Sequence, residues 1–159
     1  MRNLGSELGV EAMSLYHYFP NKVALLDGMV ETLAAEVEVP PVGSVPWDEA
    51  VRTIVRSFRE LGRRHPNSSR LLLECELPPA GEAAEEAMEH HLAVGFDEAT
   101  ARLAFRAFSA YAWGSLIEDQ RLEPPFTPRD RDAEFELGLD ALIAGVEALT
   151  GNPKRSSGT

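Results

Sequence analysis

The chain has 159 residues, a formal net charge of −11 and one cysteine, Cys75. That length supports one sizeable core with at most a small appendage. A single thiol excludes an internal disulfide and suits a reducing cytoplasm; no apolar run approaches a membrane span or a secretion signal, and the acidic balance excludes a non-specific nucleic-acid protein.

The elements read in chain order are helices, and no convincing strand intervenes. Leu4 and Leu8, four apart, share one side of a short helix. Gly9 then supplies a position able to take positive φ where the chain turns. After Val10 a second short helix places Leu15 and Phe19 inside and fans Met13, Ser14, Tyr16 and His17 across its outer face. Two short helices joined by a Gly-containing turn form the helix-turn-helix layout, which offers that outer face to the DNA major groove. Pro20 ends the second helix. Asn21 can cap the next, whose first turn carries Lys22 within reach of a phosphate. Arg2 and Lys22 balance Glu7 and Glu11, so this head is locally neutral and the acidity lies in the remainder.

The third helix is expected over about Val23 to Val37, with Leu26, Val30, Leu33 and Val37 as its apolar stripe and Pro40-Pro41 and a Gly-Ser linker as its stop. Trp47 to about Arg64 is strongly amphipathic: Trp47, Val51, Ile54, Phe58 and Leu61 line one face, and Arg52, Arg56, Arg59 and Arg63 another. The Arg stripe is either a nucleic-acid footprint or a face that pairs with this protein's own acidic surface; we take the second reading, each exposed pair contributing little. A short segment from Ser68 to Glu76 carries Leu71, Leu72, Leu73 and Cys75. Glu82 to Val94 forms a helix closed by Gly95 and Phe96 in a Schellman-like ending. Asp97 caps an Ala-rich helix over about Glu98 to Leu122, and Thr127-Pro128 is a cap followed by proline at the first helical position. In the last helix, about Asp130 to Leu149, Phe135, Leu139, Leu142, Val146 and Leu149 make one stripe. Gly138, Ala141, Gly145 and Ala148 make a second stripe of small residues, which propensity alone does not explain. Small residues let another helix approach closely. Two helices pairing with two from a second subunit is the reading we prefer to close packing within one chain. The tail Asn152 to Thr159 is expected to be disordered.

The run Leu8-Gly9-Val10, then Leu15-Tyr16, Phe19, Asn21-Lys22 and Leu25-Leu26 closely resembles the tetracycline-repressor (TetR) family of bacterial one-component regulators, over Leu4 to roughly Leu33. The resemblance implies an all-α homodimer with an N-terminal DNA-binding head (residues 1–39) and a helical ligand-binding and dimerisation domain (40–151), followed by the tail (152–159). It also implies base-facing roles around Ala12, Met13, Ser14 and His17, with Tyr16, Tyr18 and Lys22 mainly as phosphate contacts. The family usually has Ala at the position of Gly5, which lowers helix propensity by about 1 kcal/mol, and His at that of Tyr18, whose hydroxyl keeps a donor. It also carries a further helix ahead of Leu4. The expectation drawn from that difference is a start placed too far downstream, or a truncated copy.

Catalysis finds no support: no local Ser/His/acid signature, Gly-rich phosphate loop or metal-ligand spacing is present. His90 and His91 are adjacent and point in different directions on a helix, against a shared metal; no cofactor is expected. Cys75 lacks a marked electropositive setting. What the body can do is bind a small apolar or aromatic effector between its helices. Candidate lining residues are Phe58, Leu72, Cys75, Met88, His91, Phe105, Phe108, Tyr111 and Trp113, with His91 and Tyr111 as polar anchors. The sequence therefore predicts a ligand-responsive regulator of operator DNA, a repressor acting as a homodimer, with Gly138, Ala141, Gly145 and Ala148 at the dimer interface. The alternative is a dimeric small-molecule-binding protein without a competent DNA head. A helical scaffold or enzyme is a third reading.

Overall fold

A computed structural model describes residues 2–68, 82–120 and 127–151. Its helices are α1 (Arg2–Leu8), α2 (Ala12–Tyr18), α3 (Lys22–Ala34), α4 (Trp47–Arg64), α5 (Glu82–Ala93), α6 (Glu98–Gln120) and α7 (Pro128–Thr150), and the described residues contain no strand. The expected segment Ser68 to Glu76, with Leu72 and Cys75, lies outside the described residues apart from Ser68, as does the tail.

Local chemistry sets the helix ends. At the close of α1, Val10 N–H donates to the Gly5 carbonyl (2.9 Å) and Gly9 N–H to that of Ser6 (3.4 Å), with Gly9 at φ 67°. This is the Schellman pattern, which satisfies two carbonyls the helix would leave bare. The end of α5 repeats it: Phe96 N–H reaches the His91 carbonyl (3.3 Å), Gly95 N–H that of Leu92 (3.0 Å), and Gly95 has φ 96°. Asn21 Oδ1 accepts from Ala24 N–H at 2.9 Å and starts α3; Asp97 does the same for Thr100 and α6. Thr127 and Asp130 exchange side-chain and backbone hydrogen bonds as a capping box ahead of α7. Those bonds hold the carboxyls of Asp97 and Asp130 below their ordinary range.

The main core gathers Trp47, Val51 and Val55 of α4, Phe96, then Ala101, Ala104, Phe108 and Ala112 of α6, and Phe135, Leu139 and Ile143 of α7. Helices α4 and α6 approach closely because Gly62 has no side chain: a Cβ there would stand 3.1 Å from Leu116 Cγ. On α7 the inward stripe differs from its expected form. Ile143 is buried within it, whereas Leu149 is 89% exposed, because the helix outlasts the core it packs on. The apolar contact of helix α3 with the body is a satellite cluster of Leu33 and Leu61, with Val30, Val37 and Trp113 against it.

The Arg stripe of α4 meets a carboxylate stripe on α7. Arg52 pairs with Asp140, Arg56 with Glu136 (Nη2–Oε2 2.5 Å), and Arg59 and Arg63 both with Asp132. Rising numbers on one helix meet falling numbers on the other, so the two run antiparallel. Arg59 departs from the exposed face expected of the stripe. It is 6% exposed, grips Asp119 of α6 through Nε and Nη2 at 2.8 Å each, and lies 4.2 Å over the Phe135 ring. A two-pronged guanidinium–carboxylate pair with a ring beneath it fixes orientation as well as charge. Without Arg59, Asp119 keeps Arg63 Nε (3.0 Å) but loses its two-pronged partner at a nearly dry site. We expect Arg59→Met to lower the stability measured by urea unfolding by about 2 kcal/mol or more. Arg56→Met, at a solvent-facing pair, should stay within about 1 kcal/mol.

A candidate effector cavity and DNA-reading face

Helix α2 displays the residues expected to meet DNA. Met13, Ser14, Tyr16, His17 and Tyr18 are all exposed, Met13 at 73% and Tyr18 at 76%. Ala12 opens the helix. Leu15 and Phe19 are half-buried beneath it. Phe19 fixes the angle to the next helix: its Cε1 would stand 3.1 Å from a Cβ at Gly28 of α3. Lys22 is exposed at the first position of α3, directly after the Asn21 cap. The face thus combines Met13 and aromatic rings with the hydrogen-bonding groups of Ser14, His17 and the two tyrosines, and the Lys22 ammonium stands at its edge.

The far end of α3 is fastened to the body at three places. Glu36 accepts from Arg64 Nη1 (2.8 Å) and pairs with His65 Nε2 (3.0 Å), both at the end of α4. The His65 hydrogen bond, followed by the charges of His65 and Arg64, holds the Glu36 carboxyl below its ordinary range. Glu38 N–H donates to Ser57 Oγ (2.7 Å), and the Pro40 carbonyl accepts from Nε2 of the buried His90 (2.7 Å).

Next to these fastenings lies an apolar cavity. Its walls are Ala34 and Val37 at the end of α3, Val51, Ile54, Val55 and Phe58 of α4, Ala84, Ala87 and His91 of α5, and Phe105, Phe108, Ser109, Ala112 and Trp113 of α6. Five expected lining residues therefore come together: Phe58, His91, Phe105, Phe108 and Trp113. Met88 packs against the main core instead. Tyr111 faces a separate cavity between α4, α6 and α7, where its hydroxyl donates to the Phe135 carbonyl (2.6 Å) and its ring stacks on Phe135. Leu72 and Cys75 are outside the described residues. Sequence reasoning missed Ala34 and Val37; the available signal was an α3 apolar stripe that continued past the small head it had to cover.

His91 is the polar feature of the cavity. It is 3% exposed, and its ring lies among Trp47, Phe96 and Phe108. Nδ1 sits 3.0 Å from the Ala87 carbonyl, which can only accept, so Nδ1 carries the ring hydrogen and Nε2 is a bare lone pair. Nε2 is buried without a partner. Burial pushes the imidazolium down from 6.5 to about 4. His90 turns the other way, to Pro40, so the adjacent histidines have different partners. Among the described residues, no cluster of His, Cys, Asp and Glu has the arrangement of a metal site, and no helix is long and apolar enough to cross a membrane.

The expected dimer residues divide. Ala141, Gly145 and Ala148 are exposed, while Gly138 lies under Tyr111, whose Cζ would be 2.9 Å from a Cβ there. Gly138 thus serves packing within the chain. A Cβ at Gly114 or Gly145 would meet nothing within 4 Å, and Leu137 and Leu103 are 72% and 70% exposed.

A reading helix on a small head, joined by one helix to an apolar cavity, is the architecture of an effector-controlled DNA-binding regulator. No family model matches the sequence. Individual relatives do. The chain is 30% identical to the tetracycline repressor protein class G of Vibrio anguillarum, over 93% of this chain and 83% of that one. Its fold is similar to that of a TetR variant from Acinetobacter baumannii AYE in complex with minocycline (TM-score 0.78, 33% identity, 94% and 85% covered). It is also similar to the Streptomyces coelicolor TetR family protein ActR in complex with actinorhodin (TM-score 0.79, 25% identity, 96% and 88% covered). The chain belongs to the TetR family of helix-turn-helix transcriptional regulators.

The buried neutral His91 has a consequence in solution. The unfolded chain binds its proton near pH 6.5 and the folded chain only near 4, so stability is fullest above about 6.5 and falls as pH drops between those values. The loss amounts to about 3 kcal/mol when complete. Urea midpoints measured from pH 7 to 4.5 should fall with acid, and in His91→Phe that slope should flatten.

Proposed function

We propose that the chain is an effector-controlled repressor of operator DNA acting as a homodimer, with residues 1–39 as the reading head and 40–151 as the sensing and dimerising body. The observation that carries this reading is that one helix serves both ends: α3 begins with Lys22 beside the reading face and ends with Ala34, just before Val37, in the cavity wall. At 13 residues it spans about 20 Å. The walls of the cavity differ in how they are held: α4, α5 and α6 pack on the main core, with α4 and α6 also tied by the buried Arg59–Asp119 pair, whereas α3 rests on the small satellite cluster.

The cavity measures about 80 Å³, less than the roughly 150 Å³ that admits benzene in an engineered protein interior. The cavity is partly open to solvent, so a ligand of two or more rings either extends from its mouth or moves a wall; on our reading it moves a wall, and the wall that yields is the end of α3. Displacing it swings the head and changes the spacing of the two reading helices in a dimer. The effector shifts this equilibrium only by its greater affinity for the widened state. Minocycline and actinorhodin, bound by the two similar proteins above, are consistent with a multi-ring effector here.

By residue, Met13, Ser14 and His17, with Ala12, face bases, and Tyr16, Tyr18 and Lys22 hold phosphates. The outer surface of α6 and α7 around Gly114, Ala141, Gly145 and Ala148 forms the dimer interface. The alternative of a sensor without a working head is separated by fluorescence anisotropy of the chain on duplex DNA from its own upstream region, with unrelated duplex as competitor. Preference for its own duplex supports the repressor; equal binding to both removes the reading head from the proposal. Lys22→Ala should weaken binding to all sequences and lower the slope of log K against log salt by about 1. A loss of selectivity instead would overturn the phosphate role. Gly145→Leu should raise the dimer dissociation constant at least about tenfold in sedimentation equilibrium, since close helix contact leaves no room for the side chain. An unchanged dimer would remove Gly145 from the interface.

A further inference from the structure

The polar atoms of His91 and Ser109 at the cavity wall have no hydrogen left to give. Nδ1 of His91 spends its hydrogen on the Ala87 carbonyl, which leaves Nε2 as a buried acceptor without a partner, on a ring that lines the cavity. Ser109 Oγ donates to the Phe105 carbonyl at 2.8 Å, so its remaining capacity is also to accept. Among the described residues the other side chains of the wall are aliphatic or aromatic, Trp113 adding an indole N–H, and none of them is cationic. A buried acceptor without a donor is costly, and one hydrogen bond to it is correspondingly valuable.

We propose that the effector is a neutral, flat, largely apolar molecule that gives a hydroxyl or N–H hydrogen to Nε2 of His91. This rests on the effector-cavity reading above and adds its chemical class. Carboxylates and phosphates are disfavoured, because they present lone pairs to the His91 lone pair and find no cation among the described residues of the wall. Ammonium ions are disfavoured as well, since no carboxylate is among those residues. The Trp47 indole N–H, also buried without a partner, meets His91 edge-on but lines a different groove, beside Gly43 and Val45.

The test is equilibrium dialysis of the full chain with naphthalene, 2-naphthol, 2-methoxynaphthalene and 2-naphthoate, which share one ring system and differ in what they offer His91. On the wild type, 2-naphthol should bind about tenfold more tightly than its methyl ether, the worth of one buried hydrogen bond, and 2-naphthoate should not bind measurably. In His91→Phe, checked for a cooperative thermal transition, that preference should vanish while naphthalene is retained. Equal binding of 2-naphthol and its ether to the wild type would overturn the acceptor role and leave the cavity reading standing; this is also the result expected if a water joins Trp47 to His91. A preference that survives in His91→Phe would overturn His91 as the acceptor. Failure of all four compounds on the wild type would remove the cavity reading itself, and this proposal with it.

Discussion

Arg59 and Asp119 set the frame on which the other parts depend. The pair crosses from the middle of α4 to the end of α6, nearly dry, with the Phe135 ring of α7 under the guanidinium. Three helices are thereby held at one point by charge, direction and packing together. A buried ion pair adds less net stability than its contacts suggest, because both partners give up hydration. What it does well is exclude alternative registers, since sliding α4 along α6 or α7 would strand a charge. The carboxylates of α7 extend that register outward through Arg56 and Arg52. With α4 fixed on this side, the cavity on its other side has one wall free to respond.

That division explains why α4 has two unlike faces. Its apolar face supplies Ile54 and Phe58 to the cavity, its basic face supplies the ladder, and its last turn presents Arg64 and His65 to Glu36. The head is therefore attached to a helix of the main core, and at Glu36 the attachment is polar and solvent-facing. Such contacts are weak individually. A joint of that kind holds position without resisting displacement strongly, as a moving element requires.

Much of the fold was legible because helix ends carry local chemistry. Asn21, Asp97, Gly9, Gly95 and Thr127-Pro128 each do in the structure what their type does in a short peptide, and the bounds of α4 and its two unlike faces could be read from its stripes, Val55 and Arg59 apart. The candidate site was legible only in part. Phe108 and Tyr111 are three apart on one helix and equally aromatic, yet one faces the cavity and the other reaches Phe135; the difference arises because Gly138 of α7 leaves room for the Tyr111 ring. Gly138 and Gly145 belong to one small-residue stripe, and only the neighbouring helix distinguishes the packed glycine from the open one. Arg59 looked like Arg56 because burial depends on which carboxylate lies opposite, a fact of tertiary structure. Ala34 and Val37 were missed for the same reason: a stripe shows that a face is covered, not that it borders an empty space.

The grip of Arg64 and His65 on Glu36 lies outside the cavity, touching neither its shape nor its hydrogen-bonding character. In a regulator whose ligand must displace α3, that grip contributes to the cost of the resting state being left. The cost enters the apparent affinity for every ligand by the same factor. On the proposed mechanism, sequence change at these three positions would move the whole dose–response curve along the concentration axis without reordering which compounds act. Sensitivity and selectivity would then be set by separate residues, and one could drift while the other is kept.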